Sequence, residues 1–313
     1  MKLSIELPQD GQKDPSDPCE AYETMTQIAQ EAERRGFHSI WLLDHVQLPS
    51  SLPIREQILF ECWMSTAALA RDTTQIRIGQ LVTSNGFRHP ALVAKMAGTV
   101  DVLSHGRLTL GIGAGWYEQE YRAYGYAFPG TATRLRQLRE ALCILKAMWS
   151  EDEAVFEGQY LRVQGAINQP KGTQKPHIPL LIGGKGEQVT LKLVARYADA
   201  CNFTHPTQEE LARKHALLKR YCEEVGRNEH DIHHTIYVNG AFGETEAEAS
   251  ARLATIPGNL TLDHICTRGL FGTPEMVRQR LWELEQSGVQ EVILSRRSLT
   301  SPEALDFFAQ FLS

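Results

Sequence analysis

The 313-residue sequence has no apolar run of bilayer-spanning length, no block of Lys and Arg, and no cysteine pair at metal-binding or redox spacing. Each absence removes a class of function. A transmembrane helix needs about 20 predominantly apolar residues, and no segment supplies them. The opening MKLSIELPQDGQ reaches Glu6, Pro8 and Asp10 before an apolar stretch long enough for a secretory signal can form, so the expectation is a cytoplasmic chain without membrane contact. The net charge is −6 and the basic residues are scattered, which leaves nothing to neutralise a phosphate backbone; nucleic acid is not expected as a partner. Cys19, Cys62, Cys143, Cys201, Cys222 and Cys266 lie far apart and read as reduced packing thiols. The nearest approach to a histidine cluster, His230, His233 and His234, sits beside a candidate strand and reads as strand-edge residues, so no metal site is expected.

What is present is a steady alternation of short apolar runs and amphipathic stretches. Apolar residues make up 42% of the chain, enough for a large core. Leu3–Leu7 reads as a strand, followed by a loop rich in Asp, Pro and Gly up to Cys19. Ala21, Met25, Ile28, Ala29 and Ala32 then share one helix face, and Gly36 stands where a left-handed C-terminal cap belongs. Ser39–Leu43 is a short run with little alternation, as in a parallel strand buried on both faces. The same order recurs. Further strands are expected at Ile76–Val82, Leu108–Ile112, Pro179–Ile182, Asp199–Phe203, Thr235–Val238 and Glu291–Leu294. Helices are expected near Gln57–Arg71, Pro90–Leu103, Thr133–Trp149, Gln188–Tyr197, Glu209–Val225, Pro274–Ser287 and Pro302–Leu312. Alternation of this kind gives a doubly wound sheet or a closed barrel, and eight strands with no break in composition favour a single (β/α)8 TIM-barrel domain spanning 1–313. One segment breaks the rhythm. AVFEGQYLRVQGAINQPKG, between the fourth and fifth strands, reads as an inserted hairpin turning at Glu157-Gly158-Gln159, serving either as a lid or as structural elaboration.

In such a barrel the chemistry sits where strands end. Asp44-His45 follows the second strand, Thr83-Ser84-Asn85-Gly86 the third, Gly113-Ala114-Gly115-Trp116 the fourth and Gly183-Gly184-Lys185-Gly186 the fifth. An imidazole beside a carboxylate is a natural acid/base site, which makes His45 the leading catalytic candidate; the plain alternatives are a loop histidine bonded to backbone and a loop-capping Asp44. Gly183–Gly186 opens a helix and leaves backbone N–H groups accessible, suiting a phosphate, although glycines after strands also serve tight turns. Gly111, Gly113 and Gly115 alternate, leaving room for a flat ring or for a tight packing contact.

Taken in order, WLLDH at Trp41–His45, IRIGQLVTSNGFRHPALVAKMAGTVDVLSHGRLTLGIGAGWYEQEYRAYGY at Ile76–Tyr126, IPLLIGGKGEQVTLKLVARYADACNF at Ile178–Phe203 and FGTPEMVRQRLWELEQSGVQEVIL from Phe271 resemble the luciferase-like monooxygenase superfamily, in particular its F420-dependent oxidoreductase branch. The resemblance covers essentially the whole chain. It implies a barrel enzyme binding coenzyme F420, or alternatively FMN, with Asp44 near the ring and His45 at the reacting centre. It implies a non-proline cis peptide at Leu81-Val82, followed by Thr83, behind the ring. Ala114 and Gly115 would line the ring edge, and Ile182, Gly183, Gly184, Lys185, Gly186 and Gln188 would hold the cofactor and its phosphate. Where sugar-phosphate dehydrogenases of the family carry a glutamate proton donor, this chain has Trp116, which would wall the pocket. Glu118 or Glu120 could replace that acid, Glu120 reading more as a structural partner, so Trp116 and Glu118 join Asp44 and His45 as catalytic candidates. The basic cluster such enzymes use for a sugar phosphate is not visible in the sequence. The leading reading is hydride transfer between a deazaflavin and a small organic molecule; the others are a two-component flavin monooxygenase and a flavin-binding scaffold without turnover. A homodimer and a separate flavin or F420 reductase complete the expected partners.

Overall fold

The structure, a computed structural model, describes residues 1–10, 17–48, 58–256, 260–299 and 302–312. Part of the expected loop before Cys19, and Gln57 at the head of the expected second helix, lie outside the described residues.

The strands are β1 (Lys2–Glu6), β2 (Ser39–Leu42), β3 (Arg77–Gln80), β4 (Thr83–Ser84), β5 (Leu108–Gly113), β6 (Ala154–Glu157), β7 (Arg162–Ala166), β8 (Leu180–Gly183), β9 (Ala200–Thr204), β10 (His233–Val238), β11 (Gly240–Phe242), β12 (Leu270–Gly272) and β13 (Glu291–Leu294). The helices are α1 (Pro18–Arg35), α2 (Cys62–Asp72), α3 (Pro90–Leu103), α4 (Glu118–Ala123), α5 (Thr131–Ser150), α6 (Thr190–Tyr197), α7 (Gln208–Glu224), α8 (Glu246–Thr255), α9 (Leu262–Arg268), α10 (Pro274–Gln286) and α11 (Pro302–Ala309). Eight strands follow one another in the order β3, β2, β1, β13, β10, β9, β8, β5, and β3 pairs again with β5, closing the ring. This is the (β/α)8 barrel that the alternation predicts. No helix among the described residues is long and apolar enough to cross a membrane.

Local sequence explains where the elements start and stop. Ala21, Met25, Ala29 and Ala32 give α1 its buried face, and Gly36 at φ +86° ends it. Pro90 and Pro274 open α3 and α10 at the first helical turn, where their missing N–H costs nothing. Thr207 and Glu210 form a reciprocal capping box on α7. β5, LTLGIG, is buried throughout, as its continuous apolar run requires.

The chain packs as two compact units. One comprises Met1–Pro8, Thr24–Trp41 and Lys185–Ser313. In it β1 pairs with β2 and β13, β13 with β10, and β10 with β9, all parallel. Between β10 and α10 it carries an excursion that the sequence did not announce: β11 pairs with β12 around α8 and α9, over a small core of Ala241, Ala249, Leu253, Ile256, Ile265 and Phe271. Because the excursion follows a strand end, it belongs to the carboxyl face of the barrel.

The other unit comprises Gln9–Glu23 and Leu42–Gly184. Here β5 pairs with β3, β4 and β8. Ile78 faces Leu108, an offset of 30 residues, whereas Thr83 faces Ile112, an offset of 29, so the third barrel strand holds one extra residue between them. That bulge falls at Leu81-Val82, whose peptide bond is cis.

The expected hairpin is present as β6 and β7, antiparallel, its turn held by the buried Glu140 carboxylate of α5, which accepts from the amides of Gln159, Tyr160 and Leu161 at 2.9 Å each. Its position corrects the lid reading. The hairpin lies in a helix-to-strand connection, and the chain beyond it is tied to the starts of strands: Gln174 accepts from Arg77 and donates to the Leu108 carbonyl, while Asp101 at the end of α3 accepts from the Thr173 and Gln174 amides. That is the amino face, opposite the residues that follow β2, β4 and β5.

Candidate active site

Of the candidate residues, Asp44 to Gly184 lie in the unit that holds Leu42–Gly184, and Lys185, Gly186 and Gln188 in the other. Asp44 follows β2 and is buried. Its carboxylate accepts from the Ser84 amide at 2.8 Å and from both Arg88 guanidinium nitrogens, at 2.7 and 3.0 Å. Arg88 also pairs with Glu61, the N-cap of α2. Burial pushes the Asp44 carboxyl up to about 6, against the pull of Arg88 and of the Ser84 amide. With three hydrogen bonds on its two oxygens, Asp44 ties the loop after β2 to β4 and to Arg88. Arg88, which holds it, was not foreseen.

His45 is the residue left available. Its Nδ1 lies 2.9 Å from Glu120 Oε1, and Glu120 Oε2 accepts from the Val46 and Gln47 amides at 3.2 and 3.4 Å. Glu120, 2% exposed, thus fixes both the imidazole and the backbone that carries it. A carboxylate on Nδ1 favours the tautomer with its proton there and leaves Nε2 for chemistry. Glu118 is placed differently: it pairs with Arg122 on the exposed face of α4. The carboxylate beside the histidine is therefore Glu120, and Glu118 does not take part in the cluster. Trp116 stands edge-on to His45 with ring centroids 5.6 Å apart, packs on Tyr117, and is 65% exposed, an unusual state for an indole with an apolar face to cover.

The glycines divide into two groups. A Cβ on Gly111 would fall 1.9 Å from the Gln80 carbonyl oxygen, and Cβ atoms on Gly111, Gly113 and Gly183 would meet the Val82 side chain at 3.1, 2.8 and 2.9 Å. These three are absent side chains that let the bulge at Val82 press against β5 and β8, so the tight-packing explanation holds for them. Gly115 and Gly86 instead make room for Tyr121: a Cβ on Gly115 would lie 2.1 Å from its hydroxyl oxygen, and one on Gly86 2.4 Å from its ring. The buried Tyr121 hydroxyl bonds to Ser84, so the loops after β4 and β5 are locked together with Ala114 and Gly115 between them. Thr83 is fully buried and its Oγ1 has no hydrogen-bond partner. Ile182 is buried in β8 and Gly183 ends it; Gly184, Lys185, Gly186 and Gln188 are exposed before α6, whose N-cap Val189 offers no side-chain hydrogen bond. Open backbone N–H groups, a lysine and an uncapped helix start are the donor set that a phosphate takes.

Contacts link Asp44 to Ser84, Ser84 to Tyr121 and Gly115, His45 to Trp116, and Val82 to Gly183; Thr83 and Gly184 stand next to these residues in sequence. Among the described residues no group of three or more His, Cys, Asp or Glu could hold a metal ion.

The sequence pattern of the family described as luciferase-like monooxygenase matches residues 1–265. An F420-dependent glucose-6-phosphate dehydrogenase of Kineococcus radiotolerans is 31% identical over 236 residues, 72% of this chain and 66% of that one. Among solved structures, an F420-dependent secondary alcohol dehydrogenase in complex with an F420-acetone adduct superposes with a TM-score of 0.84 at 18% identity, over 99% of this chain and 97% of that one. The oxygenating constituent of a type II Baeyer-Villiger monooxygenase of Pseudomonas putida, in complex with FMN, gives a TM-score of 0.77 at 17% identity, over 100% of this chain and 96% of that one. At such identities the likeness to the two structures is one of fold.

Proposed function

The chain belongs to the luciferase-like monooxygenase family, and from that premise we propose that this oxidoreductase binds coenzyme F420 and moves a hydride between the deazaflavin and a small organic substrate. The observation that carries the proposal is the His45–Glu120 pair beside the exposed Trp116, within the same connected set of loops as the bulge at Val82.

The residues present suit the group. Val82, Thr83, Ala114 and Gly115 would back and edge the ring, Ile182 and Gly183 would close its other side, and Gly184, Lys185, Gly186 and Gln188 would hold its phosphate. The unpartnered Thr83 hydroxyl and the open glycine amides are the polar atoms that such a ligand would satisfy. When bound, the deazaflavin supplies the hydride donor or acceptor. The protein's part is a proton and a dry wall. His45, with its tautomer fixed by Glu120, gives or takes the substrate proton at Nε2; Trp116 covers the reacting face against water; Asp44, held by Arg88 and Ser84, keeps the His45 loop in register. In this reading 1–313 works as one barrel domain, as a homodimer in the cytoplasm, with reduced cofactor supplied by a separate reductase.

A second reading uses the same site with FMN and oxygen, and it is favoured by the fold-level likeness to the FMN-bound monooxygenase. Titration separates the two. Tight binding of F420 with none of FMN supports hydride transfer, and the reverse rejects it. In the enzyme loaded with its cofactor, His45→Ala is expected to lower turnover by about 10²- to 10⁴-fold while cofactor affinity stays within a few fold. Turnover that survives the change removes His45 from the chemistry.

A further inference from the structure

The guanidinium that holds Asp44 also serves a second carboxylate. Arg88 gives Nη1 to Asp44 Oδ2 at 2.7 Å and Nη2 to Asp44 Oδ1 at 3.0 Å, and the same Nη2 reaches Glu61 Oε1 at 2.5 Å. The other Glu61 oxygen accepts from the Met64 amide at 2.6 Å, as the N-cap of α2. Two carboxylates thus meet one guanidinium, with the Asp44 side chain 1% exposed, Arg88 14% and Glu61 39%. The group carries one negative charge more than it can cancel, and burial penalises that charge. A proton removes the excess.

The surroundings decide where that proton goes. Water screens Glu61, the more exposed carboxylate, and cannot reach Asp44 in the same way. Cys62 follows Glu61 on α2, and Tyr121 of α4 bonds to Ser84; both are buried, and burial pushes the thiol and the phenol up, so both stay neutral at pH 7. Glu120 of α4 is engaged by the His45 imidazole and by the Val46 and Gln47 amides. Burial lifts Asp44 to about 6, so it is the carboxyl that changes charge nearest to neutral pH. Protonation alters its bonding. Oδ2 still accepts from the Ser84 amide and from Arg88 Nη1, but a proton on Oδ1 meets the N–H of Arg88 Nη2, donor against donor. Nη2 then keeps Glu61 alone, and one of the three bonds that hold Asp44 is lost.

We propose that Arg88 and Glu61 position His45 through Asp44: the three charged groups form a switch that takes up one proton, and the uptake loosens the loop that carries His45. That loop is braced from two sides, by Asp44 on the residue before His45 and by Glu120 on its ring and on the two amides after it. Loss of an Asp44 bond leaves more of the bracing to Glu120. Glu61 is what lets the switch work, since a guanidinium released from Asp44 with no second carboxylate beside it would be left buried and unpaired. Above about pH 6 both braces act, and below it the Asp44 brace weakens. What His45 does with its position rests on the hydride-transfer reading; the switch itself does not.

The test is an NMR pH titration of the full chain, ¹⁵N-labelled, between about pH 8 and 4. The Ser84 amide, which donates to Asp44, reports the charge of that carboxyl, and the Val46 and Gln47 amides report the seat of the loop. All three are expected to move with one midpoint, at about 6. Glu61→Gln removes the excess charge and keeps an oxygen for the Met64 amide, so the shared midpoint should fall by about half a unit, a threefold change in proton affinity. Arg88→Gln removes the counter-charge, and the midpoint should rise by about one unit or more, at least tenfold. If Arg88→Gln does not fold, Glu61→Gln, at the most exposed of the three side chains, still decides the matter. A midpoint that stays in place in Glu61→Gln, or Val46 and Gln47 amides that do not follow Ser84, overturns the proposal; a purely structural Glu61 would lower the melting temperature and leave the midpoint where it is. Fluorescence titration with F420 keeps the two readings apart. If F420 binds to no form of the protein while the three amides still shift together, the hydride-transfer reading fails and the switch stands.

Discussion

Glu118 and Glu120 illustrate what one residue's surroundings add to its identity. Two positions apart on a helix, side chains point about 200° away from each other, so only one of the pair can reach His45. The sequence offers both and contains no local signal for the phase of a six-residue helix; the structure resolves it, with Glu120 inside and Glu118 paired outward with Arg122. Glu120→Gln keeps the shape and the bonds to the Val46 and Gln47 amides but withdraws the charge that orients the imidazole. It is expected to lower kcat about tenfold or more with KM nearly unchanged, with partial recovery in Glu120→Asp, as steady-state kinetics on the cofactor-loaded enzyme would register. Equal loss in the two variants would make Glu120 a folding residue only. Asp44 and His45 were legible because both follow directly from a strand end. Arg88 was not, because its partners Asp44 and Glu61 are 44 and 27 residues away and ion pairing at that range leaves no periodic trace.

At the scale of elements, the alternating glycines of β5 are explained by their neighbour rather than by their own strand. The extra residue at Leu81-Val82 pushes the Val82 side chain across β5 and β8, and any Cβ on Gly111 would collide with the Gln80 carbonyl. Gly111→Ala is therefore expected to destabilise the protein by more than about 2 kcal/mol, since backbone must move to relieve the contact. Gly36→Ala, at positive φ but with open space around it, should cost about 1 to 2 kcal/mol. Urea denaturation of both variants measures the difference, and a Gly111→Ala protein as stable as the parent would refute the packing account. The sequence could state that room was kept beside β5, but not what fills it, because the filler lies on another strand. Element identity was easier: Pro90, Pro274 and Gly36 mark helix ends by backbone chemistry alone, and β5 and β13 are unbroken apolar runs. The excursion of β11, α8, α9 and β12 went unread because its pieces of 3, 10, 7 and 3 residues are too short to carry a full amphipathic period.

For the molecule as a whole, Glu291 is expected to contribute to acid stability. Its buried carboxylate accepts from Ser4 at 2.6 Å, Ser39 at 2.7 Å and His233 at 2.9 Å, and so joins β13 to β1, β2 and β10. Burial alone would raise its pKa; the hydrogen bonds from His233 and Ser4, with the charges of His233 and His38, outweigh burial and hold it at about 2. A carboxyl depressed in this way from about 4.3 contributes on the order of 3 kcal/mol, fully present above the unfolded value and lost as pH falls from there toward 2. Glu291→Gln should flatten stability against pH in that window, as thermal melts between pH 5 and about 2.5 would reveal; an unchanged slope would exclude Glu291 as the source. Barrel closure was legible from the order of strands, since eight alternating units leave few other arrangements, whereas a carboxylate serving four strands was not.

The segment from β11 to β12 has an apolar core of its own, separate from the side chains that fill the barrel strands. A part that supplies its own cohesion can be exchanged without disturbing the scaffold beneath it. Its replacement by the corresponding stretch of a relative should therefore leave the barrel strands of the same unit folded.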